Sequence, residues 1–183
     1  MEEKPIFARD EWNAFYSATI DYYKPFVAFL LVTGCRIGKA TAVRIGDLNF
    51  KSNTVSVVRA WKKVAKGRVI GAPKSARSCR VVMVDSKTMA AIADPCAGRD
   101  PSDLPFVAPH GGQIHPHRFN ERHWWPTMER AGINKHLNPH SLRHTFASWQ
   151  LMAGTPPQVV QMRMGHSSLA TTSNAYARLL LRT

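Results

Sequence analysis

Between Asn53 and Asp85 the chain abandons the helical period that governs the rest of it. The stretches "NTVSVVRAW" and "SCRVVMVD" are dense in β-branched residues, and "KKVAKGRVIGAPKSARS" between them is rich in Gly, Pro, Ser and bases. This block predicts a small three-stranded antiparallel sheet whose loops carry positive charge. Helical signals enclose it. "RDEWNAFYSATI" sets Trp12, Phe15, Tyr16 and Thr19 at helical spacing, and "KPFVAFLLVTGCR" reads as a buried helix from Pro25 to near Gly34, with a short helix around "GKATAVRI" to follow. After the strands come "SKTMAAIAD", a Pro- and Gly-rich connector from Pro95 to Pro116, and "HRFNERHWWPTMERAG", interrupted by Pro126. "NPHSLRHTFASWQLMAG", "PPQVVQMRMG" and "SLATTSNAYARLLL" complete the helical set. One strand block inside helices, without βα alternation, predicts an α+β fold, predominantly helical. At 183 residues the chain has the length of a single domain.

The charge of this domain is one-sided. Lys and Arg outnumber Asp and Glu by 25 to 12, for a formal charge of +13. The acids are missing from particular places: nine Lys or Arg and no acid lie between Lys51 and Val84, and no acid follows Glu129. Both segments are free of anything that repels phosphate, so nucleic acid is the first candidate partner and an anionic membrane surface the second. The longest apolar run, "PFVAFLLVTGC", is too short to span a bilayer, and "MEEKPIFARDEW" lacks the basic start and apolar core of a signal peptide. The expectation is a cytoplasmic protein with no membrane partner. Cys35, Cys79 and Cys96 are odd in number and show no C-x-x-C spacing, which predicts reduced, mostly packed thiols.

Four stretches carry residues suited to phosphodiester chemistry. They are "TGCRIGKA" with Arg36, "GAPKSARS" with Lys74, "NPHSLRH" with His140 and Arg143, and "MGHSSLATTSNAY" with His166 and Tyr176. A tyrosine hydroxyl has a reference pKa of about 10 and needs help to attack phosphorus. Bidentate arginines can hold the charge that builds on the phosphoryl oxygens, a histidine can take the phenol proton, and a lysine can protonate the leaving 5′-oxygen. This set calls for no cofactor and no metal ion.

The order Arg, Lys, His-x-x-Arg, Gly-His, Tyr resembles the catalytic domain of the tyrosine recombinases, the phage-integrase family, from about Phe7 to Leu180. The resemblance implies site-specific recombination, the integration or excision of mobile DNA, by cleaving and rejoining double-stranded DNA through a 3′-phosphotyrosyl intermediate. It makes Arg36 and Arg143 the phosphate clamps, His140 the acid/base residue, His166 a phosphate ligand, Lys74 the general acid with Lys66 nearby, and Tyr176 the nucleophile. It implies self-association on DNA, as a tetramer in the synaptic complex, in a bacterial nucleoid. It also makes residues 1–183 one catalytic domain, with the family's N-terminal DNA-binding domain absent from this chain. Lys62, Lys63, Lys66, Arg68 and Arg77 of the basic block are the expected backbone contacts. One position departs from the pattern: Lys39 stands where R-x-x-E carries an acid.

Plainer readings exist for each residue. Arg36 could cap a helix C-terminus, Tyr176 could be a core aromatic, and a base in a basic hairpin, such as Lys74, is often a steering charge. His140 and His144 have the i, i+4 spacing of zinc ligands, but Ser141 replaces the glutamate of a metalloprotease helix. His144 reads as a packing residue, His115 and His117 as loop residues, and Trp124 and Trp125 as core. The competing functions are a DNA-binding module of the same fold without catalysis, a type IB-like DNA-relaxing enzyme, and a metal-dependent nuclease, for which carboxylates are lacking near the basic motifs.

Overall fold

The computed structural model describes residues 5–72 and 79–165. Helix α1 (Arg9–Ala18) presents Phe15 to the interior, with Glu11 reaching back to the Ala8 amide at 2.8 Å. Helix α2 (Lys24–Thr33) is apolar nearly all round and correspondingly buried. It ends at Gly34, whose φ of +59° is the left-handed closing conformation that glycine adopts without strain. A β-carbon there would also lie 2.6 Å from Cδ1 of Phe146, so glycine is what lets α7 (Pro139–Met152) cross α2 closely.

The sheet holds β1 (Leu48–Asn49), β2 (Thr54–Val57) and β5 (Arg80–Met83) in the antiparallel order β1-β2-β5. The predicted α+β class and three-stranded sheet are both present. Val55, Val57, Val82 and Val84 face the core, whereas Val81 and Met83 on the opposite face are 65% and 70% exposed. By the same alternation Arg80 shares the inward face with Val82 and Val84. The stretch expected to be loop forms a second hairpin, β3 (Ala60–Lys63) and β4 (Arg68–Gly71), with Val64 donating to Gly67 O across the turn. Trp61 Nε1 donates to Thr41 O at 3.2 Å, and Arg59 pairs with the largely buried Asp47 carboxylate, so the ribbon is tied to the body at its base. Its alternating Trp61, Val69 and bases were obscured by the high charge of the segment.

Helix α3 (Ile37–Ala40) is one turn, shorter than "GKATAVRI" suggested, because Ala42 and Val43 bury themselves in a turn instead. Helix α4 (Ser86–Cys96) is capped by Asp85, which accepts from the Thr88 amide, and it runs past Pro95. Pro126 does not interrupt its segment. Helix α5 (Pro116–Phe119), a wide π turn (Asn120–Trp124) and α6 (Trp125–Arg130) run on as one helical stretch, with Trp125 N donating to Asn120 O. A widened turn just before a proline accommodates the ring and the missing N–H. Helix α8 (Pro157–Met164) follows α7 and ends at Gly165, φ +60°.

The main core gathers Phe7, Phe15, Tyr23, Phe26, Phe29, Phe106, Phe119 and Trp124 with the inner valines of the sheet. A smaller cluster of Phe146, Ala147, Leu151, Val160 and Met164 joins α7 to α8. Among the described residues, no helix is long and apolar enough to cross a membrane.

Candidate active site

The start of α7 is fixed by its own residues. Asn138 Oδ1 accepts from the amides of His140 and Ser141, and Ser141 Oγ accepts in return from the Asn138 amide. With Pro139 in the first turn, this cap sets His140 and Arg143 three residues apart on one side of the helix. His140 is exposed, and its ring meets that of His144 edge to face at 4.8 Å. Among the described residues, no three His, Cys, Asp or Glu side chains gather as a metal site.

Arg143 points inward and is only 2% exposed. Nη1 donates to Gly34 O at 2.5 Å and Nη2 to Met164 O at 2.7 Å, bridging the end of α2 to the end of α8. A guanidinium has five N–H groups, so three remain for another acceptor. Burial, with Arg36 and then Arg80 alongside, pushes the Arg143 pKa down to about 9. It is still charged at neutral pH.

Arg36 is exposed and occupies the N-cap of α3, not the C-terminus of a helix. A helix N-terminus disfavours a cation, so capping does not account for it. Lys39, one turn on, is half-buried, and its pKa is lowered by burial first and then by Arg80, Arg36 and Arg143, against an opposing pull from Cys35. The cation in the place of the family's acid therefore belongs to the same cluster. No carboxylate is among the groups that shift Lys39 or Arg143, and among the described residues none forms an ion pair with Arg36, Arg80 or Arg143.

Arg80 is the member that sequence reasoning passed over. Nε donates to Arg163 O at 2.6 Å, and Nη2 lies 3.5 Å from Cys35 Sγ. The available signal was its register: in "RVVMV" it takes the inward phase with Val82 and Val84, where a charge is expensive unless something uses it. Lys62, Lys66 and Arg68 are exposed on the β3–β4 ribbon, and Lys63 lies on β3. Lys74, Arg77, His166 and Tyr176 fall outside the described residues. The structure thus brings Arg36 and Arg143 together, adds Lys39 and Arg80, and puts His140 on the same helix as Arg143. Cys35 and Cys96 are buried and Cys79 is exposed, all three as free thiols.

Guanidiniums gathered without an ion-paired acid among the described residues are chemically suited to hold a tetrahedral anion. The class defined by fold and site is an α+β protein with a buried arginine in a cationic cluster and a basic β-ribbon. The chain belongs to the Phage integrase family, whose profile matches residues 6–181. It is 29% identical over 158 residues to a protein named tyrosine recombinase XerD from Bifidobacterium longum, covering 81% of this chain and 47% of that one. It is 30% identical over 154 residues to the protein of the same name from Corynebacterium glutamicum, covering 81% and 46%. The chain spans just under half the length of these relatives. Among solved structures, the Tn1549 transposon integrase in complex with a circular intermediate DNA superposes with a TM-score of 0.84 at 20% identity, covering all of this chain and 66% of that one. That likeness bears on the fold.

Proposed function

We propose that this chain is a tyrosine recombinase catalytic domain that cleaves and rejoins double-stranded DNA at specific sites. The observation that carries the reading is the cluster of Arg36, Arg80 and Arg143, none of which forms an ion pair with a carboxylate among the described residues. A phosphodiester in the site would supply the missing negative charge. Arg36 and Arg143 hold its non-bridging oxygens, and His166 adds a hydrogen bond. The Tyr176 oxygen attacks phosphorus while His140 receives the phenol proton; the bond to the 5′-oxygen breaks, and Lys74 protonates that oxygen. The phosphotyrosyl bond conserves the energy of the broken ester, so a second 5′-hydroxyl can reverse the step on a new strand. Lys62, Lys63, Lys66, Arg68 and Arg77 grip the DNA backbone, which makes affinity fall steeply with salt. Copies of the chain associate on DNA as a tetramer, in the cytoplasm on the nucleoid. DNA complexes among the structural neighbours and relatives named tyrosine recombinases support this reading.

Covalent trapping tests it. The protein is incubated with a nicked duplex bearing a candidate recombination site, in chelator, and resolved on a denaturing gel beside Tyr176→Phe. The expected result is a shifted, protease-sensitive band that the variant lacks. Bound DNA without any such band would leave a DNA-binding module of this fold.

A further inference from the structure

Two arginines end helix α8. Arg80 Nε donates to the carbonyl of Arg163 and Arg143 Nη2 to that of Met164, the last two residues of the helix. Carbonyls of a last turn lack helical partners and carry the negative end of the dipole, so cationic donors suit them. The Arg80 guanidinium also covers the next residue: a β-carbon on Gly165 would lie 2.9 Å from Nη1. Both arginines reach the other side of the cluster as well, Arg143 through Gly34 O and Arg80 through Cys35 Sγ. The loop that carries Arg36 and the end of α8 are therefore joined by two parallel guanidinium bridges. In sequence, His166 is the next residue after Gly165.

We propose that Arg80 is a positioning residue for strand transfer. With Arg143 it clamps the last turn of α8 to the Gly34–Arg36 loop, so that Gly165, the residue before His166 in sequence, is held at a fixed point beside Arg80 and Arg143. This arrangement does mechanical work that an acid after Arg36 would otherwise share. Lys39 cannot brace an arginine; main-chain carbonyls and a thiol accept from the arginines here instead. The inference rests on the strand-transfer reading for its catalytic half and on geometry alone for the clamp.

Arg80→Met, Arg80→Lys, Gly165→Ala and the Arg80→Met/Gly165→Ala double variant separate the two halves. Hydrogen exchange in the DNA-free protein reads the clamp: Arg80→Met should speed exchange of the last α8 amides about tenfold or more, as expected of local opening. On nicked DNA at matched salt, Arg80→Met should lower the rate of tyrosyl adduct formation about a hundredfold, the scale of an ångström-sized misplacement, with DNA affinity within about threefold. Arg80→Lys keeps one donor and should restore most of the rate. Gly165→Ala should cost less in the Arg80→Met background than in the wild type, because the guanidinium it strikes is gone. Unchanged exchange in Arg80→Met would overturn the clamp. Faster exchange with an unchanged adduct rate would overturn the positioning role. If the wild type binds DNA and forms no adduct, the strand-transfer reading and the catalytic half fall together, and exchange alone decides the clamp.

Discussion

Among the described residues, Trp124 and Arg143 are the two largest side chains sealed from solvent, at 1% and 2% exposure, and the ways they are held divide the molecule. Trp124 sits among Phe7, Phe15 and Phe119, with ring centroids 4.5 to 6.4 Å away, and its indole N–H donates to Leu137 O. Every face of it meets apolar matter, and its one polar group is satisfied. Arg143 lies between the ends of two helices, next to other cations, and is held by carbonyls. Burial rewards the first residue and penalises the second. The aromatic side supplies stability. The α2–α7–α8 junction keeps a charge where folding alone would not put one, which makes it the candidate working side.

The largest effect should come from Arg143→Met. We expect adduct formation to fall about a thousandfold, as when a preorganised donor to a phosphoryl oxygen is lost. Stability should fall by no more than about 2 kcal/mol, because losing two carbonyl bonds is offset by removing a buried charge. Rapid-quench assays and urea denaturation of one preparation would show the split. Trp124→Ala should do the reverse, costing about 3–5 kcal/mol of unfolding free energy, with the adduct rate per folded molecule preserved at a temperature where the variant is folded. Equal losses in both assays for both variants would erase the distinction between the sides.

The smallest effect sharpens the electrostatic half. Arg143 has a folded-state pKa near 9, below its ordinary value, so between those two values the unfolded chain binds more protons and stability rises with pH. Below 9 the penalty for the buried charge is fully present. A bound anion offsets that penalty, so sulfate should raise the melting temperature more at pH 7 than at pH 10. At a hundredfold excess over Kd the stabilisation is about 2.7 kcal/mol. Differential scanning calorimetry at both pH values would measure it, and Arg143→Met should lose most of the pH dependence.

What could be read from sequence was whatever local chemistry decides. Gly34 ends α2, "NPHSLRHTFASWQLMAG" forms α7, and the inner valines mark the sheet, because each expresses a preference of its own few residues. Arg36 and Arg143 were singled out through their motifs, and the structure places them in one cationic cluster. Arg80 was not, since its role depends on α8 arriving from 83 positions further along the chain. The β3–β4 ribbon was hidden for a related reason: it is stabilised by a tryptophan reaching Thr41 and an ion pair to Asp47, contacts its own composition does not announce. The π turn before Pro126 was missed because the proline read as an interruption, whereas a widened turn lets the helix run through it.

The meeting of Gly34 and Phe146 has a consequence for how such a protein can drift. A side chain at 34 needs the backbone to leave a φ of +59° and the Phe146 ring to vacate a position 2.6 Å from the new carbon. Either change alone is harmful: the first moves the carbonyl that Arg143 grips, and the second opens a void in the small core. The two residues, 112 positions apart, are therefore locked as a pair, and a lineage can exchange them only by passing through a weaker intermediate.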